Sequence, residues 1–135
     1  MFDPHDVNVV YLIVRDVGIG ASGDEIRKTD DGGVTWNAVA LRSLVFAPTL
    51  LSTTPSTLIA QAYDTSGYSR YVLQASTDRG EHWTHAAEGL PSETSVKTIV
   101  GDPARPNVVF AGTEGRGVYR SVDGGATWVS SLRRR

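Results

Sequence analysis

A chain of 135 residues has room for one ordinary domain and one core rather than two. With 40% hydrophobic and 21% charged residues its composition is globular, which excludes a disordered chain. Thirteen Lys and Arg against fifteen Asp and Glu leave a formal charge of −2, so no overall field draws it onto nucleic acid or an anionic membrane, and the absence of Cys excludes disulfides, thiolate metal sites and a Cys nucleophile.

The first residues, Met1-Phe2-Asp3-Pro4-His5-Asp6, have neither the basic nor the apolar region of an export signal. No apolar run approaches the roughly 18 to 20 residues of a membrane helix. Instead, Asp3-Pro4 marks a turn, and Val9-Val10-Tyr11 reads as a strand. A Gly-rich polar segment follows, and then Thr29-Asp30-Asp31-Gly32-Gly33-Val34-Thr35-Trp36. The same order of signals returns in weaker form: Ala47-Pro48, the apolar Leu58-Ile59-Ala60, a polar loop from Asp64 to Arg70, and Ser76-Thr77-Asp78-Arg79-Gly80-Glu81-His82-Trp83. The third pass is the clearest. Val96 to Val100 is a short strand and Asp102-Pro103-Ala104-Arg105-Pro106 a turn, followed by Val108-Val109-Phe110-Ala111-Gly112-Thr113 and Gly117-Val118-Tyr119-Arg120-Ser121. Ser121-Val122-Asp123-Gly124-Gly125-Ala126-Thr127-Trp128 then turns into a last strand starting near Thr127 and Trp128. Arg133, Arg134 and Arg135 form a solvated tail. Apolar spacing of helical period never persists, so almost no helix is expected.

Asp31 to Asp78 is 47 residues and Asp78 to Asp123 is 45, close to the length of one four-stranded sheet with short turns. The repeated motif has a folding role at every position. A carboxylate at the start of a tight turn accepts nearby backbone N–H groups, expected here one and two residues on, and the Ser or Thr two residues earlier adds a polar partner. Gly33, Gly80 and Gly125 supply positive φ, and the Trp residues bring large apolar area to the sheet faces, so all three are expected to be substantially buried. Three similarly built turns read as scaffold rather than as three catalytic acids.

Ser/Thr-x-Asp-x-Gly-x-Thr-Trp preceded by Gly-Thr-x-x-x-Gly-Val-Tyr-Arg closely resembles the Asp-box, or bacterial neuraminidase repeat, of β-propeller proteins. The scaffold set is Thr29, Asp31, Gly33 and Trp36, then Ser76, Asp78, Gly80 and Trp83, then Ser121, Asp123, Gly125 and Trp128. His82 stands where the repeat usually has Thr. The resemblance implies an all-β fold of about three four-stranded antiparallel blades forming a single repeat domain over 1–135. Blade one is about 1–41, blade two about 42–90 and blade three about 91–132. Propellers close with about four to eight blades, so three blades with a truncated first strand imply a fragment, a self-assembling unit or an open arc. Further blades or self-association are therefore the expected partners.

Length places the candidate site. Tyr11 to Asp31 is 20 residues and Ile59 to Asp78 is 19, but Phe110 to Asp123 is 13, so the first two repeats carry extra residues between their second and third strands, where binding groups usually reside. The candidate binding set is Arg15, Asp16, Asp64, Tyr68 and Arg70, with Glu114 and Arg116 from the short third loop. This palette suits sugar or carboxylate recognition. No metal or other cofactor is expected: His82 and His85 flank Trp83 without a carboxylate spacing that completes a metal site. The reading is a noncatalytic propeller module for a carbohydrate or protein partner. The alternative is a fragment of a glycoside hydrolase, sialidase-like or xyloglucanase-like. The Val9 to Gly18 segment is similar to the one where xyloglucanase-type enzymes present a catalytic Asp, which makes Asp16 one half of an acid/base pair. The Arg-Ile-Pro-like segment of sialidases is absent. A two-carboxylate mechanism needs both partners, and the second would come from a distant blade, so the chain alone is expected to be inactive. The resemblance also implies an extracellular or periplasmic setting.

Overall fold

The structure, a computed structural model, describes residues 1–14, 25–42, 45–53, 55–64 and 70–131; for 40–42, 45–48, 63–64 and 70–71 it describes the backbone. The described residues contain no helix and form three sheets of four antiparallel strands. Sheet one holds β1 (Phe2–Asp3), β2 (Asp6–Val14), β3 (Glu25–Thr29) and β4 (Asn37–Arg42). Sheet two holds β5 (Val45–Leu51), β6 (Thr57–Asp64), β7 (Arg70–Ser76) and β8 (Thr84–His85). Sheet three holds β9 (Val96–Asp102), β10 (Arg105–Thr113), β11 (Val118–Ser121) and β12 (Val129–Ser130). Each is a simple meander, so the first and third turns lie at one rim and the second at the other.

Register explains why both faces of these strands are apolar. Val10, Leu58 and Val109 stand opposite Thr29, Ser76 and Ser121, so the three second strands are aligned by their turn residues. Because side chains alternate, Val9 and Tyr11 face one way in sheet one, while Val10, Leu12 and Val14 face the other. The first set packs with Ile26 and Val39 against Leu58, Ala60 and Ala62 of sheet two. The opposite face of sheet two, with Ile59 and Leu73, packs against Val109, Ala111, Tyr119 and Trp128 of sheet three. Sheet two is thus covered on both sides, as in a stacked repeat array. Gln61, on its sheet-three face, is 3% exposed and accepts the Val96 N–H through its side-chain carbonyl at 2.6 Å. At the turn rim, Ser56 donates its hydroxyl to Asp3 at 3.1 Å, tying sheet one to sheet two.

Two expectations change. Only Trp128 is buried; Trp36 and Trp83 are half-buried. Trp128 lies against the segment that follows β8: its indole donates to the Ala86 carbonyl at 2.7 Å and its backbone N–H to Glu88 at 2.8 Å. This also explains why β12 begins at Val129, after the residue whose N–H leaves the sheet ladder. The Trp36 and Trp83 indoles donate within their own turns, to Gly33 and Gly80 at 3.1 and 3.0 Å. The second change concerns the extra residues of repeat two. The ladder of β6 and β7 continues outward to the Asp64–Arg70 pair, whereas the described ladder of β10 and β11 ends at Gly112–Val118. Much of the insertion therefore lengthens strands instead of forming loop.

Candidate functional site

At the turn rim, the three Asp turns have one bonding plan. The Thr29, Ser76 and Ser121 hydroxyls, all buried, donate to the carboxylates of Asp31, Asp78 and Asp123 at 2.7 Å. The same hydroxyls accept the N–H of Gly33, Gly80 and Gly125 at 2.8 to 2.9 Å. Each carboxylate then accepts the N–H four residues on, from Thr35, His82 and Thr127, at 2.9 Å. The expected acceptance one and two residues on is therefore corrected: the hydroxyl serves the near N–H groups, and the carboxylate spans the turn. The Thr35 and Thr127 side chains donate to the second carboxylate oxygen, and in the middle turn His82 Nδ1 meets Asp78 at 2.7 Å instead.

These donors hold the acids ionised. The Thr35 hydroxyl, followed by the Thr35 N–H and the Thr29 hydroxyl, brings Asp31 down from 3.8 to about 2. The His82 N–H and the Ser76 hydroxyl lower Asp78. Partial desolvation pushes Asp123 up, but the Thr127 and Ser121 hydrogen bonds outweigh it and the net shift is downward. Acids held this way are poor proton donors near neutral pH, which suits a scaffold role.

The described members of the predicted binding set lie at the opposite rim. Arg15, Asp16 and Tyr68 lie outside the described residues. Asp64 and Arg70 pair at the end of the β6 and β7 ladder, described as backbone. Glu114 and Arg116 are exposed on the connection between β10 and β11. The Glu114 carboxylate meets the Lys97 ammonium at 2.9 Å, and its N–H is donated to the Ser95 carbonyl at 2.9 Å, so this connection leans on the start of β9. With both side chains more than half exposed, the ion pair is easily exchanged for a ligand.

A second recess, not anticipated from sequence, opens where sheets one and two meet at the turn rim. Its volume is about 450 Å³, and Lys28, Asp30, Asn37, Arg79 and Glu81 line it. Lys28 lies 3.3 Å from Asp30 and 4.0 Å from Glu81. Arg79 reaches across from sheet two to Asp6 at 3.5 Å and Asp30 at 3.9 Å. One sequence signal pointed here: the residue after the motif Asp is Gly32 and Gly124 in two turns but Arg79 in the third. Arg79 keeps the left-handed conformation at φ 61°, beside 72° for both glycines. A side chain held there at a conformational cost is informative, and this one bridges two sheets. The floor is closed by Gly80, where a Cβ would collide with Val39 of sheet one.

No protein-family model matches the chain, and no curated protein matches it. Solved structures similar to it include a GH74 enzyme from Niastella koreensis, with a TM-score of 0.69 and 22% identity; the match takes in 97% of this chain and 22% of that one. The chain therefore spans about a fifth of the length of that enzyme. The likeness covers all three meanders and fixes the fold: they are four-stranded antiparallel blades of a β-propeller.

Proposed function

We propose that this chain is a noncatalytic, carbohydrate-binding piece of an Asp-box β-propeller. The observation that carries the reading is the match of nearly the whole chain to blades of a glycoside hydrolase propeller. The Asp-box assignment is supported by three turns with one hydroxyl-carboxylate-Gly bonding plan. Binding without cleavage is supported by the carboxylates themselves. The motif acids are occupied by turn donors. Exposed, mixed-charge side chains on the opposite rim provide donors and acceptors for sugar hydroxyls.

The test is affinity electrophoresis of the full chain through gels containing soluble β-glucan or xyloglucan, with reducing ends measured in parallel. Retardation without new reducing ends is the expected result, reduced by Glu114→Ala with Arg116→Ala. Unretarded migration in every polysaccharide overturns the carbohydrate reading.

A glycoside hydrolase reading is favoured by one further observation. β2 ends at Val14 on the rim where Asp64 and Arg70 end their ladder, and Asp16 comes two residues later in the sequence. In that reading Asp16 is one half of an acid/base pair whose partner lies on another blade. Release of reducing ends by a longer chain that carries the further blades, abolished by Asp16→Asn, would establish it over the binding reading.

A further inference from the structure

We propose that the recess between blades one and two at the turn rim is a second ligand site, one that takes a neutral polyhydroxylated ligand of the sugar class. Both of its walls belong to this chain: Lys28, Asp30 and Asn37 from blade one, Arg79 and Glu81 from the turn of blade two. Register builds the first wall. Lys28 pairs with Tyr11 on one side and with Asn37 on the other, and cross-strand partners share a face. Lys28 and Asn37 therefore project the same way as Tyr11, which is buried in the core between the two blades.

The second junction inside the chain shows that stacking two blades does not require these charges. Aligned on the motif Asp, the positions of Lys28, Asp30, Arg79 and Glu81 are filled by Ala75, Thr77, Gly124 and Ala126 where blade two meets blade three. That junction closes without ions, with Ala75 packed on its core and a Cβ on Gly125 falling 2.6 Å from Ile59. Four charged side chains at one junction thus stand where the other has four uncharged ones. Their spacing is a separate peculiarity. The pairs Arg27–Glu25, His82–Asp78, Lys97–Glu114 and Arg105–Asp102 span 2.6 to 2.9 Å. At the recess Lys28 stands 3.3 Å from Asp30 and 4.0 Å from Glu81, and Arg79 stands 3.5 Å from Asp6 and 3.9 Å from Asp30. Groups this far apart orient one another and leave hydrogen-bonding capacity over, since an ammonium has three donors and a guanidinium five.

The ligand class follows from the order of the charges. Glu81, Lys28, Asp30, Arg79 and Asp6 alternate in sign along the contacts. A simple anion would meet a carboxylate beside each cation. A metal ion would meet Lys28 or Arg79 beside each carboxylate, and the described residues hold no group of three metal-ligating side chains. A hydroxyl accepts from a cationic N–H and donates to a carboxylate at the same time, so neighbouring hydroxyls on a sugar ring match the alternation. The Asn37 carboxamide adds a donor and an acceptor, and Val39 closes the floor against Gly80. The volume of about 450 Å³ lies within the ligand-pocket range of roughly 300 to 1,000 Å³. Arg79 is held at φ 61° where the other two turns have Gly, so the guanidinium is kept in this place against a backbone preference. The site lies on the rim away from Glu114 and Arg116 and does not depend on binding there.

Nuclear magnetic resonance of the full chain, titrated with neutral methyl glycosides, tests this. Saturable shifts of the Asn37 side-chain amide and the Arg79 Nε–H are expected, with a Kd on the order of 1 mM. Arg79→Gly and Asp30→Thr each install a residue found at the same position of another turn. Both should keep a folded spectrum and weaken binding about tenfold or more, read at Asn37. Glu114→Ala with Arg116→Ala should leave the Asn37 and Arg79 shifts unchanged, so failure of the recess and failure of the opposite rim are read separately. Absence of these shifts with every glycoside overturns the proposal, and so does affinity undiminished in the folded variants. Larger shifts with sulfate or calcium than with any glycoside would overturn it too, by assigning the recess to an ion.

Discussion

His82 Nδ1 lies 2.7 Å from Asp78 Oδ2, occupying the place that the hydroxyls of Thr35 and Thr127 take beside Asp31 and Asp123. The middle turn keeps its bonding plan although its sequence departs from the other two, because an imidazole N–H can replace a hydroxyl as donor. His82→Thr is therefore expected to leave the denaturation midpoint unchanged within about 0.5 kcal/mol. His82→Ala, which leaves Asp78 Oδ2 without its side-chain donor, should lower it. Equal midpoints for the Thr and Ala variants would show that the side-chain contact contributes nothing.

The same carboxylates set a pH dependence. Asp31, Asp78 and Asp123 all have folded values below the ordinary one, and for Asp31 the fall is from 3.8 to about 2. The unfolded chain thus binds protons more readily than the folded one in this range, so stability rises with pH there. The contribution is complete above the ordinary carboxylate value and is lost as pH falls from about 4 through the folded values. Thermal melts between neutral pH and about pH 2 should show a decline concentrated below pH 4, shallower in Asp31→Asn. A flat profile down to pH 2 would contradict the hydrogen-bond assignment.

Ser121 is the buried member of the cleanest turn, 1% exposed, and its hydroxyl both donates to Asp123 and accepts from Gly125. Ser121→Ala leaves a buried N–H unpaired and should cost about 1 to 3 kcal/mol. Glu114→Ala removes only an exposed ion pair and should cost about 0 to 1 kcal/mol. Urea titrations of the two variants check the order, and comparable midpoints would refute it.

The fold was legible because its information is local. Thr29, Asp31, Gly33 and Trp36 sit within eight residues, and the recurrence of that group at near-constant spacing reveals three sheets before any packing is known. What depends on neighbours was not legible. The same Trp is buried at position 128 and half-buried at 36 and 83, because only Trp128 lies under the segment after β8, with its indole on the Ala86 carbonyl. The Lys28 and Arg79 recess joins residues about fifty positions apart, and its one sequence mark was an Arg where the other turns have Gly. On the opposite rim, loop length located the candidate surface, but part of the second insertion became the strand pairing up to Asp64 and Arg70. Residue counts alone do not distinguish a long loop from a long hairpin.

Gly89 is the most demanding position at the junction of blades two and three. Its φ is 92°, and a Cβ there would run into the Trp128 carbonyl oxygen, a backbone atom with little freedom to yield. Gly89→Ala should cost about 3 kcal/mol or more, combining backbone strain with loss of the Trp128 seating. Because Trp128 is the buried indole, its displacement should also shift tryptophan emission to longer wavelength and raise quenching by iodide. Wild-type emission and stability in the variant would mean that this junction tolerates a separation the structure does not show.

Arg79 allows the cost of a conformation to be weighed against the ion pairs it secures. Holding a non-Gly residue at φ 61° costs about 1 kcal/mol, whereas contacts with Asp6 and Asp30 at 3.5 and 3.9 Å from a half-exposed side chain return about 0 to 1 kcal/mol and are screened by salt. If stability alone had chosen this residue, Gly would do as well, as it does in the other two turns. Arg79→Gly is therefore expected to match the wild type at low ionic strength and to exceed it in about 1 M salt, where the ion pairs are screened but the strain persists. Urea midpoints at the two ionic strengths make the comparison directly. A variant that is much less stable at both would show that Arg79 holds the blades together by packing of its aliphatic stem, and that the strained backbone is offset by buried area instead of charge.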